Sequence, residues 1–255
     1  MRVNTNVGAL NASRNLFLVQ REVESSMGRL SSGLRINKAS DDAAGLAIAN
    51  RLRTSTRALT QAANNAEQAN AMLSIAEGSA TTIQRILERQ KELYIQAQSS
   101  QNAGQTAKLD DEFSKLSEEA QRILDSTNFQ GTAIFGESLS FKVSDASAGS
   151  TIDISIALAT SDVSAGSTTA DVDTQLDAVN DALAAIGAAQ SRLQYTVANI
   201  KTAIVNQSAA ESTIRDVDMA AEMATFSKNN ILAQAGTAML AQANQSGQSI
   251  LSLLR

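Results

Sequence analysis

Cysteine, histidine, proline and tryptophan are all missing from this 255-residue chain. Without cysteine there is no disulfide, no thiolate nucleophile and no thiolate metal site. Without histidine there is no imidazole ligand and no acid–base group titrating near neutrality. Catalysis would fall to carboxylates, lysines, hydroxyls and two tyrosines. Without proline, long helices meet no hard stop. Aromatic residues make up only 3% of the chain, whereas rounded enzyme domains bury several large rings. A core of Ala, Leu, Ile and Val suits slender helices packed side by side. The net charge of −5 argues against a nucleic-acid-binding face. No run of about 18 apolar residues is present, so no membrane-spanning helix is expected. The opening "MRVNTNVGALNASRNLFLVQ" lacks the apolar region and cleavage site of a secretory signal. Export would need a route without a cleaved signal.

What is present is helical periodicity. Leu16, Val19, Val23, Met27, Leu30 and Leu34 follow at spacings of three and four, which predicts a helix over roughly 4–33. Gly33 suits a left-handed helix stop. Ser40 is the expected N-cap of the next helix, with Asp41 and Asp42 in its first turn, where the helix dipole favours negative charge. Leu52, Leu59, Ala66, Leu73, Ala80, Leu87 and Tyr94 then recur every seven residues. Ile48, Ser55, Ala62, Ala69, Ala76, Ile83, Gln90 and Ala97 form the companion row. Such a heptad, rich in small residues, lets neighbouring helices approach closely. A helix over 41–99 would be about 85 Å long. Gly45 interrupts this pattern, although glycine inside a helix costs about 1 kcal/mol relative to alanine.

A turn at "SSQNAGQT" (99–106) leads to a return helix with Leu109, Phe113, Leu116, Ala120, Ile123 and Thr127 on one face. "LSFKV" and "IDISIAL" alternate around "SDASAGST" and predict a β-hairpin, followed by an exposed Ser/Thr-rich connection. Val172, Leu176, Val179, Leu183, Ile186, Gln190, Leu193, Val197, Ile200 and Ile204 form the cleanest heptad run. A final helix over 212–255 carries Met219, Met223, Phe226, Ala233, Leu240, Ala243, Ile250 and Leu254 along one side. Both terminal helices bear apolar stripes, and two helices alone bury little. The ends are expected to order fully only in an assembly.

Chemistry-bearing motifs are few. "DVDMAAEM" (216–223) collects three carboxylates, but reads as the dipole-favoured start of a helix rather than a metal site. The triplets beginning at Asn11, Asn206 and Asn244 match a glycosylation pattern within helices meant for packing, where chance explains them; Ser and Thr in 144–170 are better acceptors. No catalytic residue, metal or cofactor is expected.

The two ends carry a family resemblance. "MRVNTNVGALNASRNL", "RLSSGLRINKASDDAAGLAIANRLR" and "NFQGTAIFG" in the N-terminal half resemble the bacterial flagellins. So do "RLQYTVANI" and "ESTIRDVDMAAEMATFSKNNILAQAGTAMLAQANQSGQSILSLLR" in the C-terminal half. The resemblance covers nearly all the chain except the hairpin region. It implies a mainly α, elongated antiparallel helical bundle or coiled coil with a small β-hairpin region, its terminal helices pairing as an inner coiled coil. The implied organisation is 1–44 inner helix and connector, 45–127 outer long helix and return helix, and 128–170 hairpin and loop. Residues 171–211 are the outer C-terminal helix and 212–255 the inner C-terminal helix. The variable outer domains of many relatives are missing here.

By this resemblance the chain is a non-enzymatic filament subunit, exported unfolded by the flagellar type III apparatus and assembled outside the cell for motility. A hook–filament junction protein is the near alternative; a secreted helical coiled-coil binding module is the distant one. Implied partners are further copies of itself, an export chaperone, and the cap and hook-junction proteins, with no nucleic acid and no membrane. Met219, Met223, Phe226, Leu240, Ile250 and Leu254 would serve polymerisation and chaperone binding. Gly33, Ser40, Asp41, Asp42 and Gly45 would form the connector between inner and outer layers, with Gly45 packed against neighbouring subunits. Arg89, Leu93 and Glu112 resemble the patch by which a flagellin-sensing Toll-like receptor recognises some members, although Gln90 and Tyr94 depart from its pattern. The competing reading is that Arg89 and Glu92 are solvated helix charges and Leu93 packs between subunits.

Overall fold

The computed structural model describes residues 6–99, 104–144, 151–158 and 169–253, with side chains of the last helix through Gln245. The described residues form five helices and two small antiparallel hairpins: α1 Val7–Ser32, α2 Ala43–Ala97, α3 Thr106–Ser126, α4 Thr169–Arg215 and α5 Met219–Leu253. None of the described helices is long and apolar enough to cross a membrane. The chain divides into two compact units. One is drawn from the chain up to Thr54 and from Asn206 onward, the other from Ser55–Val205.

In the Ser55–Val205 unit the two heptad rows of α2 fill the core. Leu59, Ala66, Leu73, Ala80 and Leu87 are buried, as are Ala62, Ala69, Ala76, Ile83 and Gln90. Alanine at five of these ten positions keeps the neighbouring helices close, and the larger side chains fill the space between. α3 runs back along α2. Gln90 Nε2 donates to Ser117 Oγ (2.8 Å) and to the Phe113 carbonyl (3.3 Å), and Thr127 Oγ1 lies 3.1 Å from Ser79 Oγ. A polar residue at a buried heptad position is thereby satisfied. α4 runs antiparallel to α2, marked by Lys91–Asp173 at 2.5 Å, Gln190–Glu77 at 3.0 Å and Lys201–Glu67 at 3.0 Å. Its heptad members Val172, Val179, Ile186, Leu193 and Ile200 are buried.

The expected hairpin is β3 (Ser138–Lys142) paired with β4 (Thr151–Ser155), Phe141 opposite Ile152 and Leu139 opposite Ile154. Ile152, Ile154 and Ile156 join the helical core. A second hairpin, β1 (Asn128–Phe129) with β2 (Thr132–Ala133), precedes it. Its two turn residues, Gln130 (φ 52°) and Gly131 (φ 85°), are both left-handed, as a two-residue hairpin turn demands. Most of the glycine- and serine-rich tracts of 99–106 and 144–170 fall outside the described residues.

The start of the last helix differs from the sequence expectation. The final helix does not begin at 212: α4 continues to Arg215, residues 216–218 break, and α5 starts at Met219.

Candidate functional site

The other compact unit holds the chain's two ends. α1 and α5 pair antiparallel in one register, fixed at three levels. Asn6 Nδ2 donates to the Ala243 carbonyl (2.8 Å), Leu16 packs on Gly236, and Arg29 faces Glu222 at 3.6 Å. A Cβ on Gly236 would lie 3.1 Å from Leu16 Cδ1, so the helices approach closely at this level. The seam is formed by half-buried Leu16, Val19, Val23 and Leu30 on α1, and by Phe226, Ala233, Leu240 and Ala243 on α5.

The seam departs from the sequence stripes in two places. Spacing places Met27 in the α1 row, yet it is exposed, and its neighbour Ser26 is buried instead. Met219 and Met223 are likewise exposed rather than in the seam. The physical reason is the 3.6-residue turn: a stripe read at alternating threes and fours drifts around the helix, and residues at its edge leave the contact. Ile250 lies in α5 with its side chain outside the described set, and Leu254 lies outside the described residues.

Filling the seam leaves apolar surface uncovered. Val7, Leu10 and Phe17 on α1, and Ile231 and Met239 on α5, are each more than half exposed. At 100° per residue Val7, Leu10, Phe17 and Ile231 lie on the sides of the helices turned away from the seam, and Met239 lies on its flank. Each helix therefore keeps large apolar side chains, outside the seam, that this chain does not cover.

The connector after α1 is built from short-range bonds. Gly33 (φ 70°) ends α1 in the left-handed region, its N–H donating to the Arg29 carbonyl at 2.8 Å. Leu34 then forms an antiparallel bridge with Asp216. Arg35 N–H donates to the Arg215 carbonyl (2.6 Å), its Nη2 to the Ile214 carbonyl (2.7 Å), and Val217 N–H to the Gly33 carbonyl (3.1 Å). The break between α4 and α5 is thus a strand-like partner for the break between α1 and α2. Asp41 Oδ2 accepts from the N–H groups of Lys38 (2.9 Å) and Asn37 (3.1 Å). These two backbone donors hold the Asp41 carboxyl below its ordinary value.

The N-cap of α2 is Asp42, not Ser40. Asp42 Oδ1 accepts from Gly45 N–H at 2.9 Å and its carbonyl accepts from Leu46 N–H at 3.0 Å. Asp41 therefore lies before the helix, closing the turn, rather than inside its first turn. Three consecutive residues could each have capped, and the geometry selects the one whose side chain reaches the third helical amide.

Gly45 has a cause within its own chain, separate from the packing against neighbouring subunits expected of it. It is buried by its own chain: a Cβ there would sit 2.8 Å from Ile36 Cδ1 and closer still to the Asp42 carboxylate. The crowding is within the subunit, where the connector folds onto the first turn of α2.

Sequence reading missed a cluster of charges beside this connector. Arg53 Nε and Nη2 both donate to Glu211 Oε1, at 3.0 and 2.7 Å. Arg215 Nη1 lies 3.7 Å from the same oxygen, with the Arg215 side chain only 11% exposed. Arg29 pairs with Glu222 one helix further on. Among the described residues, Arg29 Nε, Arg215 Nε and Nη1, and Glu222 Oε1 are buried without a hydrogen bond. Charges scattered over four helices leave no sequence signal, because none is within a helix turn of its main partner except Arg215.

The acidic run of 216–223 is divided among separate partners. Asp216 Oδ2 accepts from Ser212 Oγ (2.7 Å), and Asp218 Oδ1 caps α5 by accepting from Ala220 and Ala221 N–H (2.9 and 3.2 Å). Glu222 faces Arg29. The three carboxylates do not converge on a shared point, as a cation would require.

In the Ser55–Val205 unit, Arg89 and Glu112 come together, Nη2 to Oε1 at 3.1 Å, and Arg89 also meets Glu92 at 3.0 Å. Glu92 and then Glu112 raise the guanidinium further above its ordinary value. Leu93 is buried in its own subunit. Its side chain is covered within its own subunit, although it belongs to neither seven-residue row of α2.

Comparison with known proteins follows this layout. Residues 3–140 match the family model of the bacterial flagellin N-terminal helical region, and residues 169–254 match that of the C-terminal helical region. The chain is 41% identical to the flagellin of Halalkalibacterium halodurans and 36% identical to that of Bacillus subtilis, each alignment covering the whole of both chains. It is 37% identical, again over both full lengths, to the flagellar filament 33 kDa core protein of Treponema phagedenis. The matched N-terminal region contains α1 and its connector, the matched C-terminal region contains α5 and the break it bonds to, and on these grounds the chain belongs to the bacterial flagellin family.

Proposed function

We propose that this protein is the structural subunit of an extracellular bacterial flagellar filament, and that the outer faces of α1 and α5 are its polymerisation surfaces. One observation carries the reading: after α1 and α5 have closed on each other, large apolar side chains of both remain exposed. Contiguous exposed apolar surface on a subunit marks an interaction face. Repeated contacts between unlike faces that do not close a ring build a helical filament. Relatives aligned through their whole length are named flagellin or filament core protein, which favours this reading over a hook–filament junction role.

The same apolar faces need covering before export, so α5, including Met219, Met223, Phe226 and Leu240, is the segment an export chaperone would bind. Export is by the flagellar type III route in an unfolded state, eased by the lack of disulfides and of slow proline isomerisation. Cap and hook-junction proteins would meet the same faces at the filament ends. The 89–112 segment reads as an ion-paired helix face, Arg89 with Glu92 and Glu112; receptor recognition there would reach Arg89 and Glu112 but not the covered Leu93.

Limited proteolysis of monomer and polymer tests the reading. In the monomer, cleavage should remove roughly forty residues from each end, where ordering depends on assembly; in filaments seen by electron microscopy the same sites should resist. Equal resistance in both states, or no filaments after seeding, would overturn it.

A further inference from the structure

The chain has six methionines and no cysteine, so its sulfur chemistry belongs to thioethers alone. Five methionines lie among the described residues, and they fall into two groups. Met72 is 3% exposed in the core of the Ser55–Val205 unit. Met27, Met219, Met223 and Met239 are 54, 48, 49 and 63% exposed, and all four lie on the α1–α5 pair.

Their placement is concentrated. The register set by Arg29 with Glu222 and Leu16 with Gly236 puts Met27 level with Met223, and Met219 is one turn from Met223 on the same helix. Three thioethers thus share one stretch of the pair, about 8 Å long by helix rise, and flank the seam. The fourth, Met239, is exposed further along α5, on the other flank of the seam.

We propose that Met27, Met219, Met223 and Met239 form a peroxide-oxidisable set that makes assembly reversibly sensitive to oxidation in the monomer and insensitive in the filament. Hydrogen peroxide delivers one oxygen to each thioether: the sulfur lone pair attacks the O–O bond, sulfur is oxidised by two electrons to the sulfoxide, and water leaves. A flexible apolar side chain becomes a polar one with a strong acceptor. On a surface that must be desolvated when subunits meet, that acceptor is buried without a partner and opposes association. The proposal rests on the reading that these faces are covered in the filament, where coverage would exclude peroxide.

The test is done on full-length protein. Monomer and filaments are exposed separately to hydrogen peroxide, sulfoxide at each methionine is followed by peptide mass spectrometry, and oxidised monomer is then seeded with filament fragments. In the monomer, Met72 should oxidise at least about tenfold more slowly than the other four, following its burial. Oxidised monomer should lose seeded polymerisation. Treatment with the two methionine sulfoxide reductases and a thiol reductant should restore both the thioethers and polymerisation. Unchanged polymerisation of fully oxidised monomer overturns the proposal, as does failure to regain it once the sulfoxides are gone. If instead the four oxidise equally fast in filaments and monomer, the reading of these faces as covered surfaces fails, whatever oxidised monomer does.

Discussion

Ile36 leans on Gly45 so closely that its Cδ1 leaves 2.8 Å for any Cβ at that position. Gly45→Ala should therefore destabilise the monomer itself. Moving Ile36 disturbs a buried side chain, and moving Asp42 gives up the cap of α2. Overpacking of this kind costs about 1–3 kcal/mol, and alanine's better helix propensity offsets roughly 1 kcal/mol of it. A net loss near 1 kcal/mol is expected in urea unfolding of the monomer. An unfolding midpoint equal to wild type would show that the connector yields freely.

The cap assignment gives a contrast between neighbours. Asp42→Ala should cost about 1 kcal/mol, the usual value for an N-cap side chain, because Gly45 N–H loses its acceptor. Ser40→Ala should be nearly silent. Equal effects from the two, measured by thermal melts under one condition, would return the cap to Ser40.

Acid should act on the connector through Asp41. Its carboxyl is lowered from an ordinary value of 3.8 by the Lys38 and Asn37 amides. A carboxyl depressed in the folded state adds stability that is complete above the unfolded value and is lost as pH falls through the folded one. Asp41→Asn should thus lower stability at neutral pH and remove part of the decline below pH 3.8. Parallel acid limbs for the two proteins would count against this role.

Glu211 serves two guanidinium groups, while Arg53 serves one carboxylate. Glu211→Ala leaves the largely covered Arg215 without its facing charge, so it should cost more than Arg53→Ala. Breaking a fully buried pair costs about 3–5 kcal/mol; with Arg53 and Glu211 partly open to solvent, roughly 1–2 kcal/mol is expected for Glu211→Ala and under about 1 kcal/mol for Arg53→Ala. Chemical denaturation of both variants checks the order, which matters more than either value.

Where a side chain's place is set by period alone, it could be read from the sequence. The α2 rows from Leu59 to Leu87 and from Ala62 to Gln90 are buried as their sevenfold spacing requires, and β3 and β4 follow alternation. Gly33 was legible because a left-handed stop favours one residue type. What escaped was decided by choices among equals or by distance along the chain. Ser40, Asp41 and Asp42 are all competent caps, and only the path of the connector selects Asp42. Met27 and Ser26 differ by one position at the edge of a drifting stripe. Gly45 looked like a concession to neighbours because Ile36, nine residues earlier, gives no periodic sign that it folds back. Glu211 and Arg53 stand 158 residues apart, with no local pattern to join them.

The bond from Asn6 to Ala243 spans 237 residues, and the Leu34–Asp216 bridge joins the same two ends. Closing so long a loop is entropically slow compared with the local contacts of the Ser55–Val205 unit. If the chain is exported end first, as proposed above, whichever end leads would wait for nearly all the rest before its partner helix arrives. On that route the pair bearing the exposed apolar side chains would be the last part of the subunit to form. The long-range pairing would then act as a clock: a subunit would present no finished assembly surface until the rest of it had been delivered.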